Sequence, residues 1–136
     1  MLDELILEHS DALILLARLL LMLLFLMTGW KKLTNFSATA AYMASTGSPA
    51  PRVSTLVAII VEFFIGIALI LGVYTRPLAL VFFVFTFATA LLGHHYWTLQ
   101  GAEREANKIN FFKNLSIMGG LLLLAITGPG SYSLWS

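Results

Sequence analysis

Two charged side chains sit inside long apolar stretches. Arg18 interrupts residues 12–30 and Glu62 interrupts residues 53–74. A charge at the centre of a membrane-spanning helix costs about 2.5–3.5 kcal/mol even on permissive insertion scales, so such residues face a bundle interior, pair, or mark a ligand or ion path. Counted along their stretches at 1.5 Å per residue, the two lie roughly 10 Å apart along the membrane normal, within reach of an arginine stem. Either they neutralise each other as a structural pair that fixes helix register, or Glu62 faces a cavity and handles a proton or a ligand's polar group.

His94 and His95 come near the end of a third apolar stretch, and Lys113 and Asn114 near the start of a fourth. Adjacent helical residues point about 100° apart, so the two histidines are poorly placed to share one metal. No second pair of ligands at helical spacing accompanies them, which argues against a metal or haem. Hydrogen bonding at a helix end is the plain expectation for both. An imidazole can also contact a quinone carbonyl and exchange protons near neutral pH. Asn114 is expected inward, bonded across helices, and Lys113 outward, snorkelling to headgroups. Glu62, His94 and Asn114 therefore fall at similar depth on three different helices. If they converge, they form a polar pocket at one end of a bundle. Phe82, Phe83, Phe85 and Phe87 are expected mainly in lipid contact and packing, with a flat apolar ligand as a further option.

The elements that must position these residues follow from composition. Of 136 residues, 59% are hydrophobic and 11% charged, against about 25% charged in soluble domains, and mean hydropathy is +0.88. The net charge of +1 leaves no basic stripe, so nucleic acid is not an expected partner and the lipid bilayer is. There is no cysteine, which removes thiolate metal sites, iron–sulfur clusters and dithiol redox chemistry from this chain. The first eleven residues carry Asp3, Glu4, Glu8 and Asp11 without Lys or Arg, unlike a signal peptide, so the first apolar stretch is expected to remain as an anchor.

Four stretches reach the roughly 20 apolar residues that span a bilayer as a helix: about 12–30, 53–74, 77–97 and 109–127. Their hydrophobicity is continuous, which favours helices over strands. The sequence predicts a single all-α domain over 1–136, an integral membrane four-helix bundle. A short interfacial helix is expected after a cap at Asn35, with Phe36, Ala40 and Met43 at helical spacing and Gly47 ending it. Residues 98–108, the most polar stretch, are expected to form a water-facing loop. A tight antiparallel hairpin should join the second and third spans near Gly72, with Pro77 in the first turn of the latter. Small residues at four-residue spacing (Ala68 and Gly72, Thr89 and Gly93, Ser116 and Gly120) suit close helix packing. Lys31, Lys32, Arg52, Arg104, Lys108 and Lys113 gather on the side of the two longer connections, against Arg76 alone on the other. The expectation is cytoplasmic connections and periplasmic termini.

Together these stretches resemble the DoxX family of small four-helix inner-membrane proteins. The matching segments are Ala17-Arg18 with Gly29-Trp30-Lys31-Lys32-Leu33; Tyr42-Met43-Ala44-Ser45 with Gly47, Pro49 and Pro51; Glu62 with Leu71-Gly72 and Thr75-Arg76-Pro77; Gly93-His94-His95-Tyr96-Trp97; Asn110-Phe111-Phe112-Lys113-Asn114; and Thr127-Gly128-Pro129-Gly130. Members commonly close with Ser-Leu-Asp, whereas here Trp135 follows Ser133-Leu134. The resemblance implies the bundle and the inner membrane. It also implies a membrane subunit of a quinone-linked redox system, working with a redox partner protein and with quinone as ligand. The family-like polar positions are Arg18, Glu62, His94 and Asn114. A small-solute or proton transporter, and a scaffold for another membrane protein, are the competing readings.

Overall fold

The computed structural model describes residues 1–135. Among them, seven α-helices follow one another: α1 (Leu2–Glu8), α2 (Ser10–Thr34), α3 (Phe36–Ser45), α4 (Pro51–Ile59), α5 (Gly66–Leu71), α6 (Thr75–Gly93) and α7 (Gly101–Thr127). A π turn, Ile60–Ile65, joins α4 to α5, and a 3₁₀ turn, Tyr96–Thr98, follows α6. Four segments are long and apolar enough to cross a membrane: Ser10–Thr34, Pro51–Leu71, Thr75–Thr98 and Gly101–Thr127. The fold is thus the expected all-α bundle, with the short helix α3 between the first two spans.

Many large apolar side chains face outward, among them Leu20, Leu23, Val84, Leu123 and Ile126. In water this would be costly. In lipid a leucine is as well solvated outside as inside, so packing contacts and interhelical hydrogen bonds hold the helices together. The interior is accordingly built around small residues and tight fits. Ala58, Ala79 and Ala90 are buried, and Met22, Leu69, Phe82 and Leu121 are completely so. Phe25 and Phe82 meet edge to face with centroids 4.6 Å apart, a favoured aromatic geometry.

The bundle has two unlike ends. At the end that carries α1, the second and third spans meet through Gly72–Tyr74. Gly72 adopts φ +75° and closes α5 with a paired return, Val73 N donating to Ala68 O and Gly72 N to Leu69 O. That pattern satisfies two of the carbonyls a helix end leaves free. The last residues fold back over this turn. Leu134 N donates to Leu71 O, Trp135 N to Gly72 O, and Tyr74 N to Trp135 O, and Val73 and Trp135 form an isolated bridge. We call this the terminal end, and the opposite one, with α3 and the 3₁₀ turn, the loop end.

The structure corrects three local expectations. Residues 98–108 are not a loop: α7 begins at Gly101, because Ala102, Glu103, Arg104, Glu105 and Ala106 form a run dominated by good helix formers. Asn35 occupies the N-cap position of α3 without a side-chain capping bond; its amide donates instead to Lys31 O and Thr34 Oγ1. The third span's α-helix stops at Gly93, where His94 leaves the helical backbone and its ring turns to α7. The end of α3 is as expected. Gly47 at φ +80° lets Ser48 N reach Met43 O, the usual glycine-terminated close.

Candidate functional site

The site is assembled from one close approach. Gly29 on α2 has no side chain, and a Cβ there would stand 2.8 Å from Phe63 N and 3.1 Å from the Glu62 carbonyl carbon. The backbone of α2 therefore lies directly on the π turn, a local widening often found at functional sites. Thr28 and Lys32 flank that contact and, four residues apart, share a helix face. Both reach Glu62. Thr28 Oγ1 donates to Glu62 Oε1 at 2.7 Å and Lys32 Nζ donates to the same oxygen at 2.8 Å.

Glu62 is buried at 5% exposure. Lys32 Nζ also lies 2.8 Å from Oε2, so one ammonium bridges both oxygens of the carboxylate. The ammonium carries three N–H donors, while the threonine hydroxyl serves Oε1 alone. An ionised carboxylate has about four acceptor positions, so Oε2 retains unused capacity.

Beside this pair lies a cavity of about 960 Å³. Its walls come from α2 (Leu24, Phe25, Thr28, Lys32), α3 (Tyr42, Met43), α4 and the π turn (Val53, Val57, Ala58, Glu62), α6 (Phe85, Ala88, Thr89, Leu92) and α7 (Asn110, Lys113, Asn114, Ile117). It exists because α4 packs on α3 and α2, whereas α6 packs on α7 and meets the second span chiefly at the π turn and α5. Toward the terminal end it stops above the dry layer of Met22, Leu69, Phe82 and Leu121.

Glu62, His94, Asn114 and Lys113 all line this cavity. Asn114 Nδ2 donates across helices to Thr89 Oγ1 at 3.4 Å, a long bond. His94 Nδ1 lies 3.0 Å from Asn107 Oδ1. The amide orientation is set because Asn107 Nδ2 donates to Glu103 O, so His94 Nδ1 is the donor. His95 is absent from the lining and ties the loop end together: Nε2 donates to Thr46 O at 3.1 Å, joining the end of α3 to the turn after α6.

Arg18 is elsewhere. It is 1% exposed at the terminal end, about 20 Å from Lys32 along α2 at the helical rise, and it does not pair with Glu62. Its Nε donates to Leu69 O at 3.0 Å, and a terminal nitrogen donates to Ile70 O. The other terminal nitrogen donates to Pro129 O at 2.8 Å and Tyr132 O at 2.7 Å. The guanidinium thus completes the last carbonyls of α5 at the negative end of its dipole and holds the returning C-terminal segment. Asp11 Oδ1 holds the same segment by accepting from Ser131 N at 2.9 Å.

Sequence reasoning missed Lys32 and Thr28, having placed Lys32 in a connection beyond the first span. The available signal was Gly29 between two polar residues at four-residue spacing, pointing to a helix contact with polar side chains on either side.

A family model described as DoxX matches residues 13–95. Inner membrane protein YphA of Escherichia coli K12 is 47% identical over 122 residues, covering 90% of this chain and 87% of that protein. Inner membrane protein YqjF of the same strain is 41% identical over 125 residues, covering 92% and 91%. No solved structure matches the chain. With its four apolar spans, a family match over most of its length and two inner-membrane relatives aligned nearly end to end, the chain is a multi-pass inner membrane protein and belongs to the DoxX family.

Proposed function

We propose that this protein is the membrane subunit of a quinone-linked redox system and that its cavity holds the quinone ring. The observation that carries the reading is a cavity of about 960 Å³, mostly apolar in its walls, with one ion pair beside it, the buried Glu62 and the partly exposed Lys32. Ligand sites commonly combine apolar walls with a few placed polar groups. Phe25 and Phe85 offer flat apolar surface to a ring, and Thr89, Asn114 and His94 supply further polar contacts. When bound, a quinone would carry electrons and take up or release protons. The chain's own part is to orient the ring and to exclude water by the dry layer below. Glu62 and His94 would exchange protons with the bound ring. A partner protein supplies the electrons in this reading.

The distribution of Lys and Arg supports a cytoplasmic loop end and periplasmic termini. The dry layer and the closed terminal end count against a permeation path through the bundle.

The test is direct. Protein purified in mild detergent is extracted and its quinone content measured, and a short-chain quinone is then titrated into the stripped protein. Bound quinone, or saturable binding weakened by Glu62→Gln, supports the reading. Protein that carries none and binds none overturns it.

A further inference from the structure

α2 packs closely on the second span, and α6 on α7, but the two pairs of helices meet each other sparingly. The cavity lies between the pairs, so the seam between α2 and α7 decides whether it is closed to the bilayer. At the dry layer that seam is shut: a Cβ on Gly120 would stand 3.4 Å from Leu21 Cδ1. One turn nearer the loop end, the same two helix faces present Leu24 and Ser116, three and four residues along. There the seam parts. Both residues line the cavity, and both are exposed on the outer surface. The polar groups around the opening do not bridge it. Thr28 and Lys32 are bonded to Glu62, and Ser116 Oγ donates to Phe112 O of its own helix. On the opposite side, the His95–Thr46 bond ties the turn after α6 to α3, which packs on α4.

The opening continues outward as a groove of about 430 Å³ along α7, past Ile109 and Phe112, which shares Lys113 and Ser116 with the cavity. Its depth is set by the helical rise. Ser116 stands about 16 Å from Thr127, roughly half of the 30 Å hydrocarbon thickness. The opening therefore faces acyl chains, while Lys113 can carry its ammonium toward the headgroups of the loop end.

We propose that this opening is a lateral portal for an amphiphile dissolved in the bilayer. The ligand is a ring with a long hydrocarbon tail, the ring in the cavity and the tail left lying between α2 and α7. The proposal rests on the quinone reading for the ring, and it adds the route and the tail. A ring entering here passes Thr28 to reach Glu62 without crossing water. Its tail stays in hydrocarbon throughout, so no apolar surface is exposed to water on the way.

The chain has no cysteine, so Leu24→Cys/Ser116→Cys supplies the only two thiols, facing each other across the portal. The double variant is placed in nanodiscs and closed with a short thiol cross-linker that a reductant cleaves, the reductant being washed out before any quinone is added. The probes are a fully substituted benzoquinone with a decyl tail and its tetramethyl counterpart, neither of which adds thiols. Closing the portal is expected to slow loading of the tailed quinone at least about ten-fold, and cleavage to restore it. Bound beforehand, the tailed quinone should protect the cysteines from cross-linking, and the tail-less one should not. In the otherwise unchanged chain, Ser116→Trp should slow loading likewise, whereas Leu123→Trp, on the outer face of α7 below the portal, should not. Loading that is equally fast through a closed portal overturns the inference and leaves the quinone reading standing. Equal protection by the two quinones overturns the threaded tail. If neither quinone binds but a spin-labelled fatty acid does, and the cross-link stops it, the portal holds and the quinone reading falls. Binding of none of the three overturns both.

Discussion

Gly29 and Phe63 meet backbone to backbone, with room for no more than a hydrogen on Gly29: an added Cβ would be 2.8 Å from the Phe63 nitrogen. This contact sets Thr28 and Lys32 against Glu62. Gly29→Ala is therefore expected to push α2 off the π turn and to cost about 1–3 kcal/mol, as overpacking does. Thermal unfolding in detergent measures the loss. Gly119, where an added Cβ would meet nothing within 4 Å, is the control: Gly119→Ala should leave the melting temperature unchanged or slightly raised.

Lys32 and Glu62 should behave as one unit. Removing Lys32 strands a buried carboxylate, at about 3–5 kcal/mol, removing Glu62 costs less because the lysine is partly exposed, and replacing both by apolar residues is far milder. Lys32→Met and Glu62→Gln are each expected to lower stability, and Lys32→Met/Glu62→Met to recover most of it. A double-substituted protein as unstable as the sum of the single changes would show that the two residues act independently.

The same reasoning at the terminal end gives a different pattern, because Arg18 is paired with carbonyls and not with a carboxylate. Arg18→Lys keeps the charge but loses the planar fork that serves two segments at once. It should destabilise nearly as much as Arg18→Leu, and both should expose the residues after Gly128 to protease. Protection of that segment in Arg18→Lys would mean that charge alone holds it.

His95→Ala removes the bond to Thr46 O, at the loop-end rim of the cavity. The expected effect is faster amide exchange in residues 43–50 and 94–100, with overall stability lowered by only about 0.5–1.5 kcal/mol, the net worth of one hydrogen bond. Unchanged exchange there would show that α3 is held by its packing on α4.

The four spans were legible because twenty consecutive apolar residues admit few other structures. Gly47 and Gly72 were legible as stops because their conformations demand glycine. Glu62, His94 and Asn114 could be placed at one depth by counting helical rise. What counting could not supply was rotation about each helix axis. That is why an Arg18–Glu62 pair stays open on the sequence alone, whereas the arginine's bonds run to Leu69 and Ile70 on α5 and to Pro129 and Tyr132. Lys32 escaped notice for a related reason. The helix of the first span continues to Thr34, past the apolar run from which its end was judged. The polar start of α7 was missed because hydropathy reports membrane depth, and a helix need not stop where the membrane does.

The bonds of Arg18 also impose an order on the making of the protein. Two of its acceptors, Pro129 and Tyr132, lie 111 and 114 residues further along the chain. At about 5–20 residues per second of synthesis, they emerge roughly 6–23 s after the arginine does. Through that interval the first span holds a guanidinium with at least half of its four final acceptors not yet made. A chain cut short before Pro129 would keep in its first span a guanidinium that has lost both of these acceptors.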